Sequence, residues 1–104
     1  MLCVLTVRRL KPGTYDDFRK AWQPDHWLPF ATGVRIMRSP DDPNEVAAFG
    51  FVDVTVDELE ALRDDPDFLA KETARIEQIN AYEEAIVLNT IYEVVEEVPA
   101  AGDA

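Results

Sequence analysis

Apolar residues fall along the chain in two rhythms, alternating or continuous over strand-length runs and spaced three or four apart in between. The first run, Leu2 to Leu10 (LCVLTVRRL), reads as a strand whose odd positions Cys3, Leu5 and Val7 are apolar up to Arg9. Its even positions, Leu2, Val4, Thr6 and Arg8, turn polar sooner, and Lys11-Pro12-Gly13 ends it. Thr14 then reads as an N-cap with Asp17 three residues on. Tyr15, Phe18 and Trp22 follow at i, i+3 and i+7, marking one face of a helix that must stop before Pro24. The stretch from Gln23 to Thr32 holds two prolines and predicts no long helix.

Gly33 to Arg38 and Glu45 to Val54 read as two strands of an antiparallel hairpin. They are joined by Ser39-Pro40-Asp41-Asp42-Pro43-Asn44, a run of turn formers. The second of them has one small face (Val46, Ala48, Gly50, Val52) and one bulkier face (Ala47, Phe49, Phe51). Thr55 with Glu58 forms a capping box for a helix carrying Leu59 and Leu62, and Asp64-Asp65-Pro66 interrupts it. Asp65 restarts the helix with Pro66 as its first residue, and Phe68, Leu69, Ile76 and Ile79 are expected to form its buried stripe. The last run, Ala85 to Val95, is uncharged through Tyr92 and apolar on both alternating faces, the pattern of a strand covered on two sides.

The order is therefore β-α-β-β-α-β, which predicts an α+β, ferredoxin-like domain: an antiparallel sheet with helices on one face and the final strand at an edge. Residues 1–98 make the single domain and residues 99–104 a disordered tail. Placing the helices on the more apolar strand faces sets them against Cys3, Leu5 and Val7 and against Ala48, Gly50 and Val52. Thr6, Arg8, Phe49, Phe51, Asn89 and Ile91 are then left on the opposite face. A set that aromatic needs cover, and a second copy of the chain, packed sheet to sheet across a two-fold axis, supplies it.

Charge narrows the partners. The chain has 104 residues, with 21 Asp and Glu against 10 Lys and Arg, net −11. That balance argues against binding nucleic acid or anionic membrane. The sole cysteine, Cys3, rules out an intrachain disulfide, and no run reaches transmembrane length, which together predict a cytoplasmic protein. One His, one Cys and cap-like carboxylates give no metal-ligand cluster, and there is no glycine-rich phosphate loop.

With this element order, the opening LCVLTVRRLKPGTYDDF and the closing IYEVVEEV, the chain resembles the dimeric α/β-barrel superfamily, and within it the antibiotic biosynthesis monooxygenase-like domains. The resemblance implies a homodimer enclosing a cavity. It also implies, by analogy with relatives that oxidise polycyclic aromatic compounds with O₂, a cofactor-independent monooxygenase-like enzyme with no cofactor of its own. Other relatives degrade haem through an Asn, a Trp and an iron-ligating His on the second long helix. Here Val56 to Glu84 contains neither His nor Trp, so that activity does not carry over.

The residues offer few candidates for chemistry. His26, among Trp22, Trp27 and Phe30, is the one side chain titrating near neutrality, a candidate general base towards a phenol or enol. The competing reading is a surface or structural histidine. Trp22, Trp27, Phe30, Phe49, Phe51 and Asn89 are the candidate substrate-binding residues, although the helical spacing of Trp22 and the strand positions of the phenylalanines suit core packing equally. Asn89, in apolar surroundings, needs a hydrogen-bond partner if buried. Arg8 and Arg35 are candidates to neutralise an anionic substrate or simply to pair with the surplus carboxylates. The alternative to an enzyme is a non-catalytic homodimer, ligand-binding or accessory, with its barrel filled by its own side chains.

Overall fold

A computed structural model describes residues 1–23 and 31–101. The elements run β1 (Leu2–Leu10), α1 (Tyr15–Trp22), β2 (Ala31–Arg38), β3 (Glu45–Val52), α2 (Val56–Arg63), α3 (Pro66–Asn80) and β4 (Glu83–Glu93). One four-stranded sheet has the order β2-β3-β1-β4, antiparallel at every neighbour, with β4 at an edge. This is the expected ferredoxin-like arrangement. Its central pair β1–β3 is flanked by one strand from each β-α-β passage.

The local signals act much as their chemistry dictates. Thr55 accepts a hydrogen bond from the Glu58 amide, and the Glu58 carboxylate accepts one from the Thr55 amide, so both halves of the capping box are made. Asp65 accepts from the amides of Asp67 and Phe68, and Pro66 opens α3 behind it. In the β2–β3 hairpin the Ser39 hydroxyl accepts from the amides of Asp41 and Asp42, and an Asp42 oxygen accepts from the Asn44 amide. Arg9 reaches across from β1 to pair with Asp42, pinning the loop to the sheet. Thr14 departs from expectation. It makes no side-chain cap to α1; its hydroxyl turns back to the carbonyl of Lys11 at 2.6 Å, with that of Tyr82 at 3.3 Å. The hydroxyl donates to the carbonyls of the turn and of the α3–β4 junction, and so oriented its oxygen accepts from no helix amide.

The helices lie on the other side of β1 from the one that its polarity suggested. Directly opposed residues share a face, and the register pairs Leu2 with Val52, Val4 with Gly50 and Thr6 with Ala48. The even positions of β1 therefore go with the small face of β3. The core confirms it: Leu10, Phe18, Trp22, Val46, Ala48 and Ile79 form one buried cluster, and Leu2, Val52, Val54 and Leu59 a second. Thr6, Arg8, Asn89 and Ile91 thus lie on the helix side of the sheet, Asn89 exposed there on the edge strand, while Cys3, Leu5 and Val7 join Ala47, Phe49 and Phe51 on the open face. Arg8 tolerates its position because Glu83, 75 residues away in sequence, pairs with it at 2.9 Å. The strand β4 is not covered on two sides within one chain; Ile86, Val87, Leu88 and Tyr92 are all exposed.

Gly50 is needed where β3 meets β2. A Cβ there would sit 2.8 Å from Val34 Cγ2 and 2.9 Å from the Gly33 carbonyl oxygen, closer than packed atoms allow. Gly33 itself has φ +118°, open to glycine but not to residues with a side chain, and the β2–β3 register shifts between Ala31 and Val34 around it. Gly50→Ala is expected to destabilise the fold by about 1–3 kcal/mol through overpacking. Urea unfolding would read this as a lower midpoint at unchanged slope, and an unchanged midpoint would show that β2 can give way.

Candidate functional site

Small floor residues and a helix that carries charge within its apolar stripe leave a hollow between sheet and helices. The floor is Val4, Thr6, Ala48, Gly50 and Val52, backed by Asn89 on β4 opposite Thr6. The walls are Leu59 and Arg63 of α2 and Phe68, Leu69 and Ile76 of α3, and Trp22 closes one end. The cavity measures about 500 Å³, a volume suited to a small organic molecule. The expected buried stripe of α3 is correspondingly incomplete: Ile79 is buried, but Leu69 and Ile76 are 54% and 44% exposed. They face the hollow rather than the sheet, because Glu72 and Arg75 share their side of the helix.

Those two charges are paired with each other. Arg75 holds Glu72 with two bonds, Nε to Oε1 at 3.1 Å and Nη2 to Oε2 at 3.0 Å, while its Nη1 donates to the Trp22 carbonyl at 2.8 Å. This ties α3 to the end of α1, with the guanidinium 5.8 Å from the Trp22 ring centre. Arg8 enters from the floor. Its side chain is 12% exposed and that of its partner Glu83 9%. Burial is the main influence on the Arg8 guanidinium, lowering its pKa, and the like charge of Arg75 acts in the same direction while Glu83 opposes both. At this residue's high ordinary pKa it stays charged throughout the physiological range.

Of the residues singled out from sequence, Trp22, Asn89 and Arg8 meet at this cavity. Phe49 and Phe51 border it, but strand alternation turns their rings, which meet edge to face with centres 5.9 Å apart, to the open face. At the cavity they therefore offer mainly strand backbone. Arg35 stands opposite Phe49, on the open face and away from the hollow. His26, Trp27 and Phe30 lie outside the described residues. Sequence reasoning missed Arg63, Glu72 and Arg75. The available signal was a charged pair at the i+3 and i+6 positions after Leu69, inside an otherwise apolar helical stripe. Among the described residues no cluster of His, Cys, Asp and Glu is arranged to hold a metal ion, and no helix is long and apolar enough to cross a membrane.

Solved structures share this architecture. A protein from Chloroflexus aurantiacus J-10-fl, named provisionally as an antibiotic biosynthesis monooxygenase, superposes with a TM-score of 0.69 at 14% identity, covering 94% of this chain and 96% of its own. SnoaB, a cofactor-independent oxygenase from Streptomyces nogalater, matches at 0.64 and 14% identity over 95% and 97%. An uncharacterized NIPSNAP domain protein from Burkholderia xenovorans matches at 0.58 and 24% identity over 98% and 97%. No protein-family model and no curated protein matches the sequence.

Proposed function

We propose, for a chain that has the fold of the antibiotic biosynthesis monooxygenase-like domains, that it binds a small apolar or aromatic compound in this cavity and oxidises it with O₂ and without a cofactor. The observation that carries the reading is the cavity itself: about 500 Å³, largely apolar, with Asn89, Thr6 and a few charged groups converging on it. In a reaction of this type the substrate is the reductant. One atom of O₂ enters it as a new carbonyl oxygen, and the other leaves as water with the two hydrogens removed from that carbon. The protein's part is to desolvate the substrate, hold it flat against Trp22, orient it through Asn89 and accept a proton, for which His26 is the proposed base. The assembly proposed is a homodimer, one cavity in each protomer.

A second reading is favoured by one feature. The only carboxylate lining the cavity among the described residues, Glu72, is held by Arg75 on both oxygens and is poorly placed to act as a base. A non-catalytic ligand-binding dimer would need no base. An oxygen electrode, with products followed by mass spectrometry over a panel of reduced polycyclic phenols, separates the two. The enzyme reading expects O₂ uptake and a product heavier by one oxygen and lighter by two hydrogens, with His26→Ala slowing turnover about 10²–10⁴-fold. Tight binding without O₂ uptake across the panel would select the ligand-binding reading.

A further inference from the structure

The cavity inverts the charge balance of the chain. The protein has 21 acidic residues and 10 basic ones, yet among the described residues its lining holds Arg8, Arg63 and Arg75 against the single carboxylate of Glu72. Even with Glu83 counted beside Arg8, the hollow is a positive site inside a negative molecule. Low-dielectric walls sharpen such a field.

The hydrogen-bond inventory points the same way. Arg8 spends one donor, Nε, on Glu83, and its two terminal nitrogens have no acceptor among the described residues although the side chain is 12% exposed. Arg75 uses three of its five N–H groups on Glu72 and the Trp22 carbonyl, leaving two. Arg63 forms no ion pair among the described residues. The guanidinium groups of Arg8 and Arg75, 12% and 21% exposed, are little hydrated and need acceptors, and an ionised oxygen is the strongest one available; Arg63 is exposed and adds charge at the rim.

We propose that the cavity selects a flat apolar molecule bearing one negative oxygen, a carboxylate or an ionised phenol or enol, received by the terminal nitrogens of Arg8 and the spare donors of Arg75, with Arg63 at the rim. This names the substrate class of the proposed site and so rests on that reading. The acidic surface then acts as a filter: it disfavours polyanions such as nucleotides, whereas a single charge on an apolar body gains more inside than it loses on approach. Receiving the ionised form also lowers the pKa of a bound phenol, so less is asked of any base.

Titration calorimetry with 2-naphthoate and its neutral analogue 2-naphthamide tests this, with 2-naphthol added to separate the two sources of charge. The acid is expected to bind at least about ten-fold tighter than the amide, and its advantage to shrink as salt is raised. Naphthol is expected to show the absorbance of naphtholate at a pH below its ordinary pKa if phenolates are accepted, and to behave like the amide if only carboxylates are. In Arg8→Gln/Glu83→Gln the preference for acid over amide should fall to within about two-fold. Arg63→Gln, at an exposed position, should reduce it by about two- to three-fold with the fold intact, and keeps the test open if the double variant does not fold. Equal affinity for acid and amide in the wild type, or a preference unmoved in the variants, would overturn the inference while leaving the cavity a binding site. Absence of binding by all three compounds would instead remove the cavity reading, and the inference with it.

Discussion

Glu83→Ala should cost the fold about 3–5 kcal/mol, the largest loss expected from any single polar substitution in the chain. The reason is what it leaves behind. Arg8 and Glu83 are 12% and 9% exposed, joined at 2.9 Å on the helix side of the sheet, so removing the carboxylate strands a guanidinium in a site with little water. For a domain whose total stability is about 5–15 kcal/mol, that brings unfolding within reach of ordinary conditions. The pair itself need contribute little. Arg8→Met/Glu83→Leu, which removes both charges, should lie within about 1–2 kcal/mol of the wild type, because the desolvation penalty disappears with the attraction. Chemical denaturation of Arg8→Met, Glu83→Leu and the double would give the coupling energy directly. A cost for Glu83→Ala below about 1 kcal/mol, the range of exposed pairs, would mean that water reaches Arg8 freely.

This ion pair also shows where reading the sequence succeeded and where it failed. Most signals contained within a few residues were legible, the Thr14 cap excepted. The Thr55–Glu58 capping box, the restart at Asp65-Pro66 and the Ser39–Asn44 hairpin each have their cause within six positions, and each formed. The order of elements was legible too, since crossover rules leave few topologies for it. What failed was the face of β1. Thr6 and Arg8 looked outward by polarity, and nothing near them in sequence announces Glu83 on the strand that closes the fold. Once the β1–β3 register is known the assignment follows, because a one-residue slip would exchange every side chain between faces. The candidate site divides similarly. Trp22 and Asn89 were named from their neighbours, whereas Arg75 and Glu72 were absorbed into a helix read as plain core. Periodicity reports which side of α3 faces inward; it does not report that the inside is hollow.

The corrected face makes the case for a second copy stronger than polarity did. The open side carries Cys3, Leu5, Val7, Ala47, Phe49, Phe51, Met37, Leu88 and Tyr92, with Thr90 opposite Leu5, and Phe51, Met37 and Tyr92 are 36%, 44% and 56% exposed in the single chain. Four strands spaced about 4.8 Å apart and roughly 26 Å long span about 500 Å² in projection, at the upper end of what soluble monomers expose as one patch. Leu5 lies near the middle of that face, between Phe49 and Thr90. A two-fold axis brings the face against itself, so Leu5→Glu would introduce two buried, unpaired carboxylates at once. Each should cost several kcal/mol, weakening the dimer by at least about a hundred-fold. Sedimentation velocity at micromolar concentration should show a wild-type dimer and a Leu5→Glu monomer. The monomer should keep its far-ultraviolet dichroism, because Leu5 is only half-buried in the single chain and lies outside both core clusters. A monomeric wild type, or a Leu5→Glu dimer of unchanged affinity, would mean that this face is covered in some other way. Since the cavity opens on the opposite side of the sheet, loss of the dimer is not expected to abolish ligand binding, and calorimetry on the monomeric variant would show whether each protomer holds a complete site.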